Sequence, residues 1–360
     1  MKKRLGLVTS LLVLAFCLAF APSLGADAPK LIIGAIYVGS VNDFGYNRSF
    51  HDALLTVEKN ISGVKLLEAE NVPESAEAER VMESMIQQGA KLIFPTSFGH
   101  QEPAFNVAKR HPDVYFEHAG GWMMSANFGN YFGNTQAAWW PMGVAAGKMT
   151  KTNKLGFVVG VPIGFAVGNV NAFELGARSV NPGAVTTVVV TGGWSDKAKE
   201  AAAANALLDQ GCDVLAMHVD SPATIVQTAE ARGAMSIGFQ SIEARALAPR
   251  GWITGLGFTW APYFTEIANS VIAGAFKTSS THLGLGEGMV TVAPFGPAVP
   301  AGVRQIVTAA ADRIAKGFNP FTGPIVDNTG VVQIKAGESW GGDKMGNFKW
   351  YVEGVVGKVQ

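Results

Sequence analysis

The stretch "DQGCDVLAMHVD" at residues 209–220 repeats the design of "QQGAKLIFPTSF" at residues 87–98, an offset of 122 positions (209 − 87). Each runs from a helix end through Gln-Gly into a short apolar strand. The offset extends well beyond this pair. "IIGAIYV" (32–38) falls on "KLGFVVG" (154–160), "VKLLEAE" (64–70) on "TTVVVTG" (186–192), and "ESAEAERVMESMIQQG" (74–89) on "DKAKEAAAANALLDQG" (196–211). Short β-branched runs of this kind read as buried strands, and the Ala/Glu-rich stretches as helices. Regular alternation of the two implies parallel sheets with right-handed crossovers. One long duplication indicates paired lobes, because a solenoid needs at least three shorter repeats.

This pattern predicts a first sheet from strands near 31–38, 64–70, 91–96 and 114–118, with helices near 47–59, 74–88 and 101–110. A second sheet takes strands near 155–161, 186–191, 213–217 and 235–239, with helices near 166–179, 196–210 and 222–232. "WITGLGFTW" (252–260) is expected to return the chain to lobe one, and "MVTVAPF" (289–295) to cross again to lobe two. The expected division is residues 29–150 plus about 256–288 for lobe one, 151–255 plus about 289–335 for lobe two, and 336–360 as a C-terminal extension. Several strand-like crossings between lobes make a hinge. Ligands of open α/β sheets sit beyond the carboxyl ends of the strands, so two such sheets would frame one cleft.

The N-terminus reads as an export signal over residues 1–28: basic "MKKR", apolar "LGLVTSLLVLAFCLAFA", then the small residues of "PSLGADA". A retained anchor is the rival reading. Phe16 stands where a lipid-attachment motif before Cys17 needs a small residue, so lipid anchoring is disfavoured. Export leaves Cys212 as the lone thiol, read as a buried core residue. Lys+Arg and Asp+Glu are both 28 and no basic run occurs beyond the N-terminus, which disfavours nucleic acid as a partner. The expected molecule is a monomer.

The predicted strand ends carry aromatic and neutral polar residues. After the first strand, "GSVNDFGYNRSF" offers Asp43, Phe44, Tyr46 and Asn47 as ligand contacts; a helix cap with a hydrophobic staple is the other reading. After the third come Ser97 and Phe98, with Glu102 in a first helical turn, where a carboxylate is favourable without any ligand. After the fourth, Trp122 follows two glycines. The second lobe offers Phe165, Trp194, His218, Asp220 and Gln240, of which Trp194 and Asp220 could equally serve packing or capping. Planar side chains with Asp, Glu, Gln, Asn and Ser suit a flat heterocycle, stacked on its faces and read along its edge. No nucleophile elbow, phosphate loop, dinucleotide fingerprint or metal-ligand spacing appears, so neither catalysis nor a cofactor or metal is expected.

At these residues the chain resembles the basic membrane protein family of solute-binding proteins, the nucleoside-binding group of ABC transporters. The resemblance covers most of residues 29–360. It rests on "NDFGYN", on "TSFGHQEPAFNVAKRHPDVYF", on "MGVAAGKMTKTNKLGFVVGVPIGFAVGNVNAFELGA", and on "GGWSDKAK" with "LLDQGCDVLAMHVDSP". It implies an α/β type I periplasmic binding fold: two doubly wound parallel-sheet lobes joined by a multi-crossing hinge. It further implies purine nucleoside ligands, a membrane permease as partner, and a periplasmic location. By the same resemblance Tyr46 takes a stacking position, Asn47 a family Asn, and Glu102 that of a base-reading Asp. Two departures stand out. Gln240 replaces a ribose-binding carboxylate, and Phe258 falls near the position of a ribose-binding Lys, with Trp260 close by. Losing both charged sugar partners points to a free purine base, adenine-like, ahead of a nucleoside. Another small polar metabolite such as a sugar, carried or sensed, is the remaining alternative, with an exported purine-processing enzyme last.

Overall fold

A computed structural model describes residues 28–359. The export-signal reading, Cys17 included, lies outside the described residues.

The first lobe runs β1 (Leu31–Ile36), α1 (Tyr46–Asn60), β2 (Val64–Ala69), α2 (Ala76–Gln87), β3 (Leu92–Pro95), α3 (Gln101–Arg110), β4 (Tyr115–Ala119) and β5 (Phe128–Gly133). The chain continues as α4 (Trp139–Met149), β6 (Lys154–Val159), α5 (Gly164–Val180), β7 (Val185–Val190), α6 (Lys197–Asp209), β8 (Val214–His218), α7 (Ala223–Ala231), β9 (Met235–Gln240) and β10 (Trp252–Phe258). Then follow α8 (Ala261–Ile272), β11 (Ser280–Leu283), β12 (Val290–Val292), α9 (Ala301–Ala315), β13 (Ile325–Val326), β14 (Val332–Ile334) and β15 (Val355–Val356).

One sheet has the order β11-β5-β4-β3-β1-β2 and the other β12-β10-β9-β8-β6-β7-β15. Within these two sheets every pairing is parallel except β10 with β12, and β13 pairs antiparallel with β14 in a separate two-stranded sheet. The corresponding orders β4-β3-β1-β2 and β9-β8-β6-β7 are the repeat made visible. Local chemistry explains the helix starts. The Ser75 hydroxyl accepts from Glu77 N at the head of α2, and the Asp196 carboxylate accepts from Lys199 N at the head of α6.

The structure corrects the lobe boundaries in three places. α4 belongs with lobe two, packing on α5, α9 and β10. Gly143 and Gly176 permit that approach: a Cβ at Gly143 would overlap the Phe173 carbonyl, and one at Gly176 the Trp140 carbonyl. β10 lies inside the second sheet between β9 and β12, so the return to lobe one happens after Phe258. Residues 336–359 are not an extension. β15 adds to β7, and Phe348, Tyr351, Val352 and Val355 enter the lobe-two core. β5 and β11, neither anticipated, complete the first sheet.

The chain therefore passes between lobes at 134–138, 259–260 and 284–289. Backbone bonds tie these strands together: Asn134 N donates to Leu283 O (2.8 Å) and Thr259 N to Met289 O (2.9 Å). Lobe one buries side chains on both faces of its sheet, Phe50, Tyr131, Trp260 and Phe264 on one and Met82, Met85, Phe116 and Phe128 on the other. Lobe two has one large core, which includes Cys212, a free and buried thiol. Among the described residues no helix is long and apolar enough to cross a membrane.

Candidate ligand cavity between the lobes

A cavity lies where the carboxyl ends of the two sheets meet, the place where open α/β sheets take their ligands. Lobe one supplies Tyr46, Ser97, Phe98, Ala119, Gly120 and Phe132; lobe two supplies Ile163, Phe165, Trp194, His218, Asp220 and Gln240. No lining residue is Lys or Arg, so a phosphate or carboxylate would find no cationic partner there.

Tyr46 opens α1, and its hydroxyl donates to Thr96 O (2.7 Å), which pins the ring against the end of β3. Phe132 of β5 meets Phe165 of α5 edge-on at 5.1 Å across the lobe boundary. Phe165 and Trp194 also flank His218, at 5.8 and 5.9 Å between ring centroids. The lobes touch through main chain as well. Tyr46 N donates to Asp220 O (2.9 Å), and the Ser221 hydroxyl donates to Asp43 O (3.3 Å).

The polar side chains of lobe two are buried with defined polarity. His218 Nδ1 meets Asn169 Nδ2 at 2.9 Å, and Thr135 Oγ1 donates to Asn169 Oδ1 at 3.0 Å. Burial pushes the His218 pKa down to about 3, so the ring is neutral. Gln240 sits at the end of β9 with φ +73°, a left-handed conformation unusual for a side chain of its size. Its side chain lies beside the Asp220 carboxyl and favours the charged form of that group, while its Oε1 is buried with no partner among the described residues. Burial, then the nearby carboxylates of Asp43 and Glu74, push the Asp220 carboxyl well above the usual carboxylate range. In lobe one the Ser97 hydroxyl donates to Glu74 Oε1 (2.5 Å).

Of the residues singled out in the sequence, Tyr46, Ser97, Phe98, Phe165, Trp194, His218, Asp220 and Gln240 line this one cavity. The others lie elsewhere. Asp43 caps α1, accepting from the backbone N–H of Gly45, Asn47 and Arg48 and from the Asn47 amide. Asn47 is buried in that cap and accepts from Gly39 N (3.3 Å). Phe44 is partly exposed, at φ +58°. Glu102 faces an outer groove with Glu74 and Glu79, so its first-turn position is satisfied by the helix end alone. Trp122 is 70% exposed, 5.8 Å from Phe98, on a wide cleft beside the cavity. Phe258 and Trp260 stack on each other at 4.3 Å behind Phe132, and Trp260 Nε1 donates to Ser49 Oγ (3.0 Å). They form the support of the aromatic wall rather than its surface.

Phe132 carries no sequence signal, because "FGNYFG" is rich in Gly and Asn, which strands avoid. Thr135 and Asn169 carry no local signal, since each acts only through a partner distant in the chain. Among the described residues no cluster of His, Cys, Asp and Glu could hold a metal ion.

A family model described as ABC transporter substrate-binding protein PnrA-like, the Bmp family, matches residues 30–316. The chain belongs to the Bmp family. This Bmp protein is 38% identical over 332 residues to a purine-binding protein of Brucella abortus (strain 2308), spanning 92% of this chain and 94% of that protein. A protein of Haloferax volcanii that carries the name of an ABC transporter glucose-binding protein is 30% identical over 334 residues, 90% of this chain and 80% of the other. Among solved structures, a solute-binding protein of an ABC transporter system from Conexibacter woesei superposes with a TM-score of 0.67 at 24% identity, covering 80% of this chain and 97% of its own. One from Aeropyrum pernix K1 gives 0.68 at 19%, covering 80% and 92%. These neighbours establish the type I periplasmic binding fold for this Bmp protein. It is an ABC transporter solute-binding protein, and its family and relatives are binding proteins rather than enzymes.

Proposed function

We propose that the chain captures a free purine base, adenine-like, between its lobes and delivers it to the membrane permease of an ABC importer. The observation that carries this reading is the cavity itself. Tyr46, Phe98, Phe132, Phe165 and Trp194 give it flat apolar walls, His218, Asp220 and Gln240 give it a short polar edge, and no cation is present. Aromatic faces suit a planar ring, and a few convergent polar groups fix its orientation. The relative named for purine binding, at 38% identity, supports the same class.

A nucleoside adds a ribose whose hydroxyls need partners, and the positions tied to ribose by the family resemblance hold Gln240 and Phe258. A hexose is the second reading, favoured by the name of the Haloferax relative. A ring of hydroxyls calls for a denser set of donors and acceptors than Ser97, His218, Asp220 and Gln240 offer. We place the protein, as a monomer, in the periplasm, in keeping with the basic-apolar-small order of residues 1–28.

Calorimetry of the ligand-stripped protein against adenine, guanine, hypoxanthine, adenosine and glucose tests the proposal. A base should bind at least tenfold more tightly than its nucleoside, and Tyr46→Ala should weaken it by a further tenfold or more. Saturable glucose binding with no response to any base would replace the purine reading.

A further inference from the structure

The buried polar chain at the back of the cavity has a direction. Thr135, on the first crossing between lobes, is fully buried, as is Asn169 on α5. The Thr135 hydroxyl lies 3.0 Å from Asn169 Oδ1, and no other acceptor for it is found among the described residues. If the Asn169 amide were turned over, its N–H would point at the Thr135 oxygen and the hydroxyl proton would have nowhere to go. Burying an unpaired donor is costly. The observed arrangement therefore prevails: Thr135 donates to Asn169 Oδ1, and Asn169 Nδ2 donates to His218 Nδ1 (2.9 Å). A nitrogen that accepts carries no proton, so the ring proton sits on Nε2. No protein acceptor for Nε2 is found among the described residues, and His218 lines the cavity.

Gln240 completes the pattern with the opposite sense. Its side chain stands beside the Asp220 carboxyl, and its Oε1 is buried without a donor among the described residues. A ring nitrogen beside an amino group, such as N7 and N6 of adenine, offers acceptor and donor together, whereas N7 and O6 of guanine offer only acceptors.

We infer that Thr135 and Asn169 are positioning residues that hold His218 as its Nε2–H tautomer, and that the cavity thereby selects a ligand edge with a lone pair for His218 and an N–H for Gln240 Oε1. The second half rests on the purine-base reading; the first does not. Burial keeps the ring uncharged near neutral pH, so the tautomer, rather than protonation, sets what the ligand must supply.

Two measurements test this separately. Nitrogen-15 NMR of the histidine-labelled protein at pH 7, without ligand, should show His218 protonated at Nε2. In Asn169→Asp the carboxylate can only accept, so the proton should move to Nδ1. In Thr135→Val the preference for Nε2 should weaken. Calorimetry with adenine and its 1-, 3- and 7-deaza analogues then reads the ligand edge. In the wild type, one analogue, lacking the lone pair that His218 needs, should bind about tenfold more weakly than the others. That gap should close in Asn169→Asp, whereas a merely structural defect would weaken all four compounds alike. A wild-type ring protonated at Nδ1, or a gap that survives in Asn169→Asp, overturns the inference. If the Nε2–H tautomer is found and none of the four compounds binds, the purine reading fails, the edge requirement falls with it, and the tautomer relay stands.

Discussion

Gln240 is the residue where the fold gives up most for the cavity. Its backbone occupies φ +73°, and its side-chain oxygen is buried without a partner. Each feature destabilises the unliganded chain by about 1–3 kcal/mol. Gln240→Gly relieves both, offset by the entropy that glycine loses on folding, about 0.5–1 kcal/mol. The expected outcome in a urea titration without ligand is a variant at least as stable as wild type, by about 1 kcal/mol, that binds adenine at least tenfold more weakly. A variant that is both less stable and equally competent would show that the strained position serves the core instead. Gln240 was legible in the sequence because it directly follows a strand, and its strain was not, because φ depends on the loop that carries the chain from β9 into the next turn.

At the scale of elements, the turn before α1 is where the lobes meet most closely. Gly45 faces the end of β8: a Cβ there would overlap the Asp220 carbonyl oxygen and the Pro222 ring. Next to it Tyr46 N donates to that same carbonyl. Gly45→Ala should therefore fold normally, since α1 keeps its Asp43 cap, and fail to close. Small-angle scattering on adding adenine is expected to show compaction of the wild type and little change in the variant, with affinity reduced tenfold or more; equal compaction of both would place the closing contact elsewhere. The strands and helices of the two repeats were legible because burial on both faces of a parallel sheet writes continuous β-branched runs into the chain. β5 was not, since Gly and Asn give "FGNYFG" the look of a turn. The ownership of α4 was not legible either. Its sequence is apolar on nearly every side, so periodicity says that it is buried and not against what. Asp43 and Asn47 illustrate a different limit: polar residues at a strand end read alike whether they serve a ligand or the helix that follows.

For the whole molecule, buried ionisable groups set the pH at which both lobes are most stable. Burial raises Glu117 in lobe one to about 8 and Glu174 in lobe two to about 7, from 4.5. Each stabilises fully below 4.5 and loses its contribution as pH rises through the folded value. Burial lowers His118 and His218 to about 3 from 6.5, so these stabilise fully above 6.5 and lose their contribution as pH falls towards 3. Between about 4.5 and 6.5 the two sets oppose each other. The melting temperature should therefore peak in that mildly acidic window, fall above pH 6.5 and fall below pH 4.5. Glu117→Gln together with Glu174→Gln should flatten the alkaline limb and leave the acidic limb; an unchanged alkaline limb would assign it to other groups, among them Asp43, Asp220 and Glu200, whose carboxyls burial also raises.

Cys212, set at the start of β8 inside lobe two, gives the molecule a use for its lack of cross-links. Among the described residues it is the sole cysteine, and burial pushes its pKa up to about 11. It is 4% exposed at the floor of an outer groove with Lys154 and Gln210, so a thiol reagent gains full access as that side of lobe two opens. The speed of its labelling is thus an internal clock for the loosening of one half, independent of whether the two halves are apart or together around a guest.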